Sequence, residues 1–248
     1  MSLTGRADRI RRRGEWPGVV ELTSGWARAV ARPWNEDVAA VSLRLERGGA
    51  RFLRACAELA GEWFPEVLSP ATLPGSARVW SEAGFVPSDR LLLMEHGLGG
   101  LSTPNREIES GGVEPLDELH AIDSVSFEPR WRLGRFGLTE SFTATSRSVV
   151  MRVRSGDGQC LGFAISGVAL GAGYLQRLAV APQQRGIGIG RDLVDSSLLW
   201  ARRHGAMTML VNTQIDNQGA AALYHDRGFR DVAGGLILFR YQPAAGGA

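Results

Sequence analysis

Arg185, Gly186, Ile187, Gly188, Ile189, Gly190 and Arg191 stand directly ahead of an apolar helical pattern. Residues of these types in this order suit the holding of an anion. The first N–H groups of a helix have no partner inside it, and the helix dipole favours negative charge at that end. Glycine lets the main chain approach such an anion closely. A flexible turn with a helix cap would use similar residues, but three glycines weaken a turn without benefit unless something approaches it. Further on, Asn217 and Tyr224 share one face of a helical pattern, two turns apart. An Asn at a helix start is an N-cap. A phenol donates a proton where a site positions and assists it; a core aromatic is the plainer role for Tyr224.

Spacing separates three phosphate-holding loops. A P-loop needs Gly-Lys-Ser/Thr at its end, but Gly190 is followed by Arg191 and Asp192. A dinucleotide G-x-G-x-x-G needs glycine where Arg191 or Leu193 stands, and it usually follows the first strand of a parallel sheet. The third pattern, R/Q-x-x-G-x-G/A, is matched in full by Arg185, Gly188 and Gly190.

The elements that must position this loop read as follows. Leu116, Leu119, Ile122 and Val125 have helical spacing. Residues 128–138 form an aromatic, basic loop or short helix. An alternating stretch turns at Gly156, Asp157 and Gly158 and alternates again, a hairpin. A strand then runs to Pro182. After the glycine loop come a helix from about Arg191 to His204 with Gly205 as its C-cap, a buried strand over 207–214, a helix over 216–228 and a last strand over 236–241.

The first half hides a repeat. "ARVWSEAGF" at 77–85 aligns with "AALYHDRGF" at 221–229, and the same offset places 66–70 on 210–214 and 51–60 on 195–204. Too few residues precede the match for a complete first copy. The stretch 96–115 is rich in Gly, Ser, Pro and charge and reads as a linker.

The chain of 248 residues is 44% hydrophobic and 22% charged, with net charge +2, too weak to name an acidic partner. Arg6, Arg9, Arg11, Arg12 and Arg13 form a basic run, read as a solvated terminus rather than a nucleic-acid arm. Cys56 and Cys160 are isolated, without metal-ligand or disulfide spacing, which fits a reducing cytoplasm. No apolar run reads as a membrane span or signal peptide.

Residues 113–241 resemble the GNAT N-acetyltransferase superfamily. "YLQRLAVAPQQRGIGIGRDLV" resembles its central motif and "NQGAAALYHDRGF" its later Asn-to-Tyr motif. The resemblance implies an α/β (α+β) fold: a mixed, mostly antiparallel sheet flanked by helices. It implies a degenerate, non-catalytic half-domain over 1–97, a linker over 98–112 and a catalytic domain over 113–248. Acetyl-CoA would be the acyl donor, with no metal. Backbone groups of Leu178, Ala179 and Val180 would pair with its pantetheine arm. Amides from Arg185 through Gly190 and of Arg191 would hold the pyrophosphate. Asn217 would contact the arm, Tyr224 would protonate the leaving thiolate, and the Val180 N–H would stabilise the oxyanion. Trp80 replaces that tyrosine in the first copy, and "RGG" at 47–49 lacks the loop spacing, so that copy reads as silent.

The general base stays open. Gln176 and Arg177 stand where some members carry a glutamate; Glu140, Glu128, His120 or a water are candidates. Trp131 and Phe136 fall in the family's acceptor loop, with Arg130, Arg132 and Arg135 beside them. The acceptor implied is a primary amine, on a small molecule or on a protein N-terminus as in the similar ribosomal-protein alanine N-acetyltransferases. No nucleic-acid or membrane partner is implied, and the protein would be a monomer or homodimer. A non-catalytic acyl-CoA-binding module is the alternative, as is a partner-binding role for the first segment.

Overall fold

A computed structural model describes residues 10–243. Arg6 and Arg9 of the basic run lie outside them. Two compact units result, Met1–Arg90 with Leu236–Ala248, and Leu91–Gly235.

In the first unit, β1 (Arg11–Arg13), β2 (Val20–Ser24), β3 (Ala27–Pro33) and β4 (Ala40–Arg47) pair antiparallel in sequence order. Burial alternates along β2 and β3, as one covered face requires. The cover is α1 (Ala50–Gly61), whose Leu53, Cys56, Ala57 and Ala60 form one apolar stripe. β5 (Glu66–Leu68) then runs parallel to β4, followed by α2 (Ala77–Glu82) and the start of β6 (Phe85–His96). Trp80 is buried against Phe85 and Phe239. Of the basic run, Arg12 pairs with Glu62 and lies over Trp63. The strands β2 to β4 precede the stretch in which the repeat is legible.

In the second unit, the stretch read as a linker is no free tether. It contains β7 (Glu109–Gly111), paired with the strand β8 that follows. After it come α3 (Leu116–Ser126), a 3-10 turn at Pro129–Trp131, and α4 (Gly134–Thr143). The basic aromatic stretch is therefore a turn and the first half of a helix. β8 (Arg147–Arg154) and β9 (Cys160–Ala169) form the expected hairpin. Then follow β10 (Ala172–Val180), α5 (Ile189–Arg203), β11 (Thr208–Gln214), α6 (Gln218–Asp226) and β12 (Arg230–Asp231). The last strand, β13 (Leu236–Tyr241), belongs to the first unit, where Arg240 pairs with Leu68 of β5. An apolar alternating strand fits either sheet, and its sequence does not say which one it joins.

The sheet of the second unit runs β6, β11, β10, β9, β8, β7. The β10–β11 pair is parallel and the others antiparallel. Leu193, Val194, Leu198 and Ala201 of α5 pack on one face with Met151, Leu175, Met209 and Val211. Leu119 and Ile122 of α3 and Leu138 of α4 pack on the other with Val150, Phe163 and Ile165. Among the described residues no helix is long and apolar enough to cross a membrane.

Candidate active site

The site begins where two parallel strands part. β10 and β11 pair from Ala172 with Thr208 to Leu175 with Val211, and there the pairing stops. β10 continues to pair with β9, but its register shifts between Leu175 and Arg177. This bulge turns the strand over. Gly173 and Leu175 face α5, whereas Arg177 reaches Asp123 on α3 and Ala179 joins the α3 side of the core.

Beyond the bulge, backbone groups alternate between β9 and the gap. Ala181 donates its N–H to Leu161 of β9. Counting back, Ala179 is committed to β9 as well, while Leu178 and Val180 turn their backbones to the gap. An added strand would meet Leu178 and Val180; for Ala179 the expected backbone pairing does not hold. The Val180 carbonyl already accepts from Ser126 Oγ at 3.1 Å and Arg185 Nε at 3.3 Å.

The glycine loop closes the end of the gap. Gly186 has φ 81° and Gly188 has φ 93°, a left-handed backbone that side chains disfavour. A Cβ on Gly186 would meet nothing within 4 Å, so its dihedral and not packing requires glycine. A Cβ on Gly190 would lie 3.1 Å from Leu223, so that glycine lets α5 and α6 approach. The resulting cleft, about 770 Å³, is bordered by Leu178, Val180, Arg185, Gly186, Gly188 and Asn217, with Ala179, Ile187, Gly190 and Arg191 also on its wall. Ile189 is different: its side chain is buried in the α5 core.

Arg185 also donates to the Ser126 carbonyl at 2.9 Å, and Arg191 pairs with Asp226 at 3.6 Å. Asn217 is the N-cap of α6, accepting from the Ala220 amide at 3.1 Å, and it borders the cleft in the same position. Tyr224 is 4% exposed and packs on Phe229. It stands beside Leu223 of the wall and does not itself border the cleft. Burial pushes its phenol above the ordinary tyrosine value, and the charge of Arg177 pulls the other way.

Residues 116–229 match the sequence profile of the Acetyltransferase (GNAT) family. This part of the chain belongs to that family. The mycothiol acetyltransferase of Geodermatophilus obscurus is 28% identical over 216 residues, 78% of this chain and 69% of that enzyme. A ribosomal-protein-alanine N-acetyltransferase of Escherichia coli is 30% identical over 91 residues, 37% of this chain and 60% of that enzyme. The chain spans about half to two thirds of the length of the curated relatives it matches. A tandem GNAT protein from the clavulanic acid biosynthesis pathway shares the fold, with TM-score 0.63 and 15% identity over 91% of this chain and 83% of that one.

Two pairs in the second unit escaped the sequence. Arg177 donates to Asp123 at 2.6 Å and to the Trp131 carbonyl at 2.9 Å, while Asp123 also accepts from the Leu133 amide at 3.0 Å. Burial pulls the Arg177 guanidinium below its ordinary value, and Asp123 opposes that. Arg106, from the supposed linker, pairs with Asp192 of α5. Both span long sequence separations, and no local signal marks them.

The expected acceptor-side residues are spread out. Trp131 lies in the 3-10 turn and Phe136 is exposed on α4; neither borders the cleft, whereas Phe127 does. Arg132 holds the Phe127 carbonyl and Arg135 pairs with Asp117. Of the candidate bases, Glu128 is exposed, His120 contacts Ser124, and neither these nor Glu140 border the cleft.

Proposed function

We propose that the second unit transfers an acetyl group from acetyl-CoA to a primary amine. The parting of β10 from β11 onto a glycine loop at a helix start carries this reading. Acetyl-CoA supplies an activated acetyl group as its thioester. The residues present fit it: the Leu178 and Val180 backbones face the gap, the amides from Arg185 to Arg191 form the anion end, and Asn217 borders the space between. The Val180 N–H is aimed to donate to an oxygen on which negative charge develops. Tyr224 acts as general acid toward the leaving thiolate; burial makes its phenol a weaker acid, so the step draws on the charge of Arg177, which favours loss of the proton. The acceptor amine belongs to a small molecule or a protein N-terminus, the two classes named among the relatives.

The first unit is a degenerate copy of the same plan. Its strand-helix-strand-helix order from β4 to α2 parallels that from β10 to α6, and Trp80 aligns with Tyr224 in the sequence repeat. An indole N–H is no usable acid, which supports a non-catalytic role. The cytoplasm suits the whole, since Cys56 and Cys160 are free thiols.

A second reading is an acyl-CoA-binding module without catalysis, and the position of Tyr224 behind the cleft wall favours it. Thiol release from acetyl-CoA, measured with a panel of amines and N-terminal peptides, separates the two. Amine-dependent release supports the enzyme; binding without release on any acceptor supports the module.

A further inference from the structure

The segment ahead of β7 delivers an arginine to the glycine loop. Arg106 Nη1 donates to Asp192 Oδ2 at 2.5 Å, and its Nη2 donates to the Ile187 carbonyl at 2.6 Å. The Asn105 amide takes the other oxygen of Asp192 at 2.8 Å. Asp192 is fully buried in the first turn of α5.

Two consequences follow from elementary geometry and charge. In a trans peptide the C=O and N–H point in opposite directions. Holding the Ile187 carbonyl toward Arg106 therefore turns the Gly188 N–H away from it, and Gly188 borders the cleft. The second consequence concerns the carboxylate. A negative group in the first turn of a helix draws on the same dipole that an anionic ligand would use. Buried and unpaired, it would repel such a ligand through a medium that screens poorly. Arg106 neutralises Asp192 and returns that helix start to an outside anion.

We propose that Arg106 is a positioning residue for the diphosphate of the acyl donor. With Asp192 it sets the direction of a loop amide and the net charge of the anion end. This rests on the donor being a diphosphate-bearing thioester, as argued above. The requirement on Arg106 belongs to the diphosphate alone and not to the pantetheine arm, which lies along Leu178 and Val180.

The test is calorimetric titration of the full chain with CoA and, separately, with pantetheine, which lacks the diphosphate. Arg106→Gln is expected to weaken CoA binding about tenfold or more and to leave pantetheine binding unchanged. Arg106→Gln combined with Asp192→Asn removes the buried charge and recovers part of the loss, while the Ile187 carbonyl stays unheld. The double variant buries no unpaired charge, so it keeps the test available if the single variant does not fold. Its CoA affinity then lies between wild type and about a tenfold loss. Unchanged CoA binding in Arg106→Gln overturns the proposal, and so does an equal loss for both probes. Failure of the wild-type chain to bind CoA would instead overturn the acetyltransferase reading itself.

Discussion

Arg177 and Asp123 stand 54 residues apart in sequence and 2.6 Å apart across the β10–α3 packing. The Arg177 guanidinium also lies 3.4 Å from the centre of the Phe127 ring, which borders the cleft. One strand residue thus holds the end of α3 and the turn beyond it. Removing one partner of a buried ion pair leaves a bare charge and costs about 3–5 kcal/mol. Asp123→Ala should lower the unfolding free energy by about that amount in urea titration. Asp123→Ala with Arg177→Met should cost less than the two single losses added together, because no lone charge remains.

Tyr224→Phe separates catalysis from binding. A general acid contributes about a hundred- to ten-thousandfold, so kcat should fall within that range while acetyl-CoA affinity stays. Burial raises the phenol above its ordinary value, so the acid form persists through the pH range where an exposed tyrosine would ionise. The wild-type rate should therefore show no alkaline loss near an ordinary phenol's pKa. Unchanged turnover in Tyr224→Phe would remove Tyr224 from the mechanism.

The features legible in the sequence are local ones. The glycine loop, the Asn217 cap and the strand over 207–214 each declare themselves within a few residues, through glycine dihedrals, side-chain capping or an apolar run. The repeat at 50–95 likewise preserves local pattern, and α1, β5 and α2 sit where it places them. What escaped depends on distant partners. The start of β6 and β13 lie in one unit although the chain makes the whole of the other between them. The bulge at Gln176 reverses which residues face α3, so alternation alone misassigns Arg177. Arg106 sits in a stretch whose composition is that of a linker, yet it is fastened to a buried aspartate.

His96 gives the second unit a pH dependence. Its ring is buried, and its Nδ1 accepts from the Leu98 amide at 2.8 Å. Burial lowers its pKa below the ordinary histidine value. The unfolded chain therefore binds the proton first, and stability falls as pH drops below about 6.5 through the folded value. Urea midpoints at neutral and mildly acidic pH should diverge more for the wild type than for His96→Gln. Equal divergence would show that other groups set the effect.

Glycine substitutions should split by backbone. Gly188→Ala forces a side chain onto φ 93° and places its Cβ 3.3 Å from Arg106. A cost of about 1–2 kcal/mol is expected, with weaker acetyl-CoA binding. Gly61→Ala, in α1 with open space around the new methyl, should instead gain about 0.5–1 kcal/mol. Thermal melts of the two variants provide the comparison.

The most direct test of the central claim is calorimetric titration of the intact chain with acetyl-CoA, with NADH as the control nucleotide. Saturable binding of acetyl-CoA alone, with one site per chain, is the predicted result, because among the described residues only the second unit has both the parted strands and the glycine loop. No binding of acetyl-CoA, or equal binding of NADH, would contradict the assignment of the cleft as a CoA thioester site.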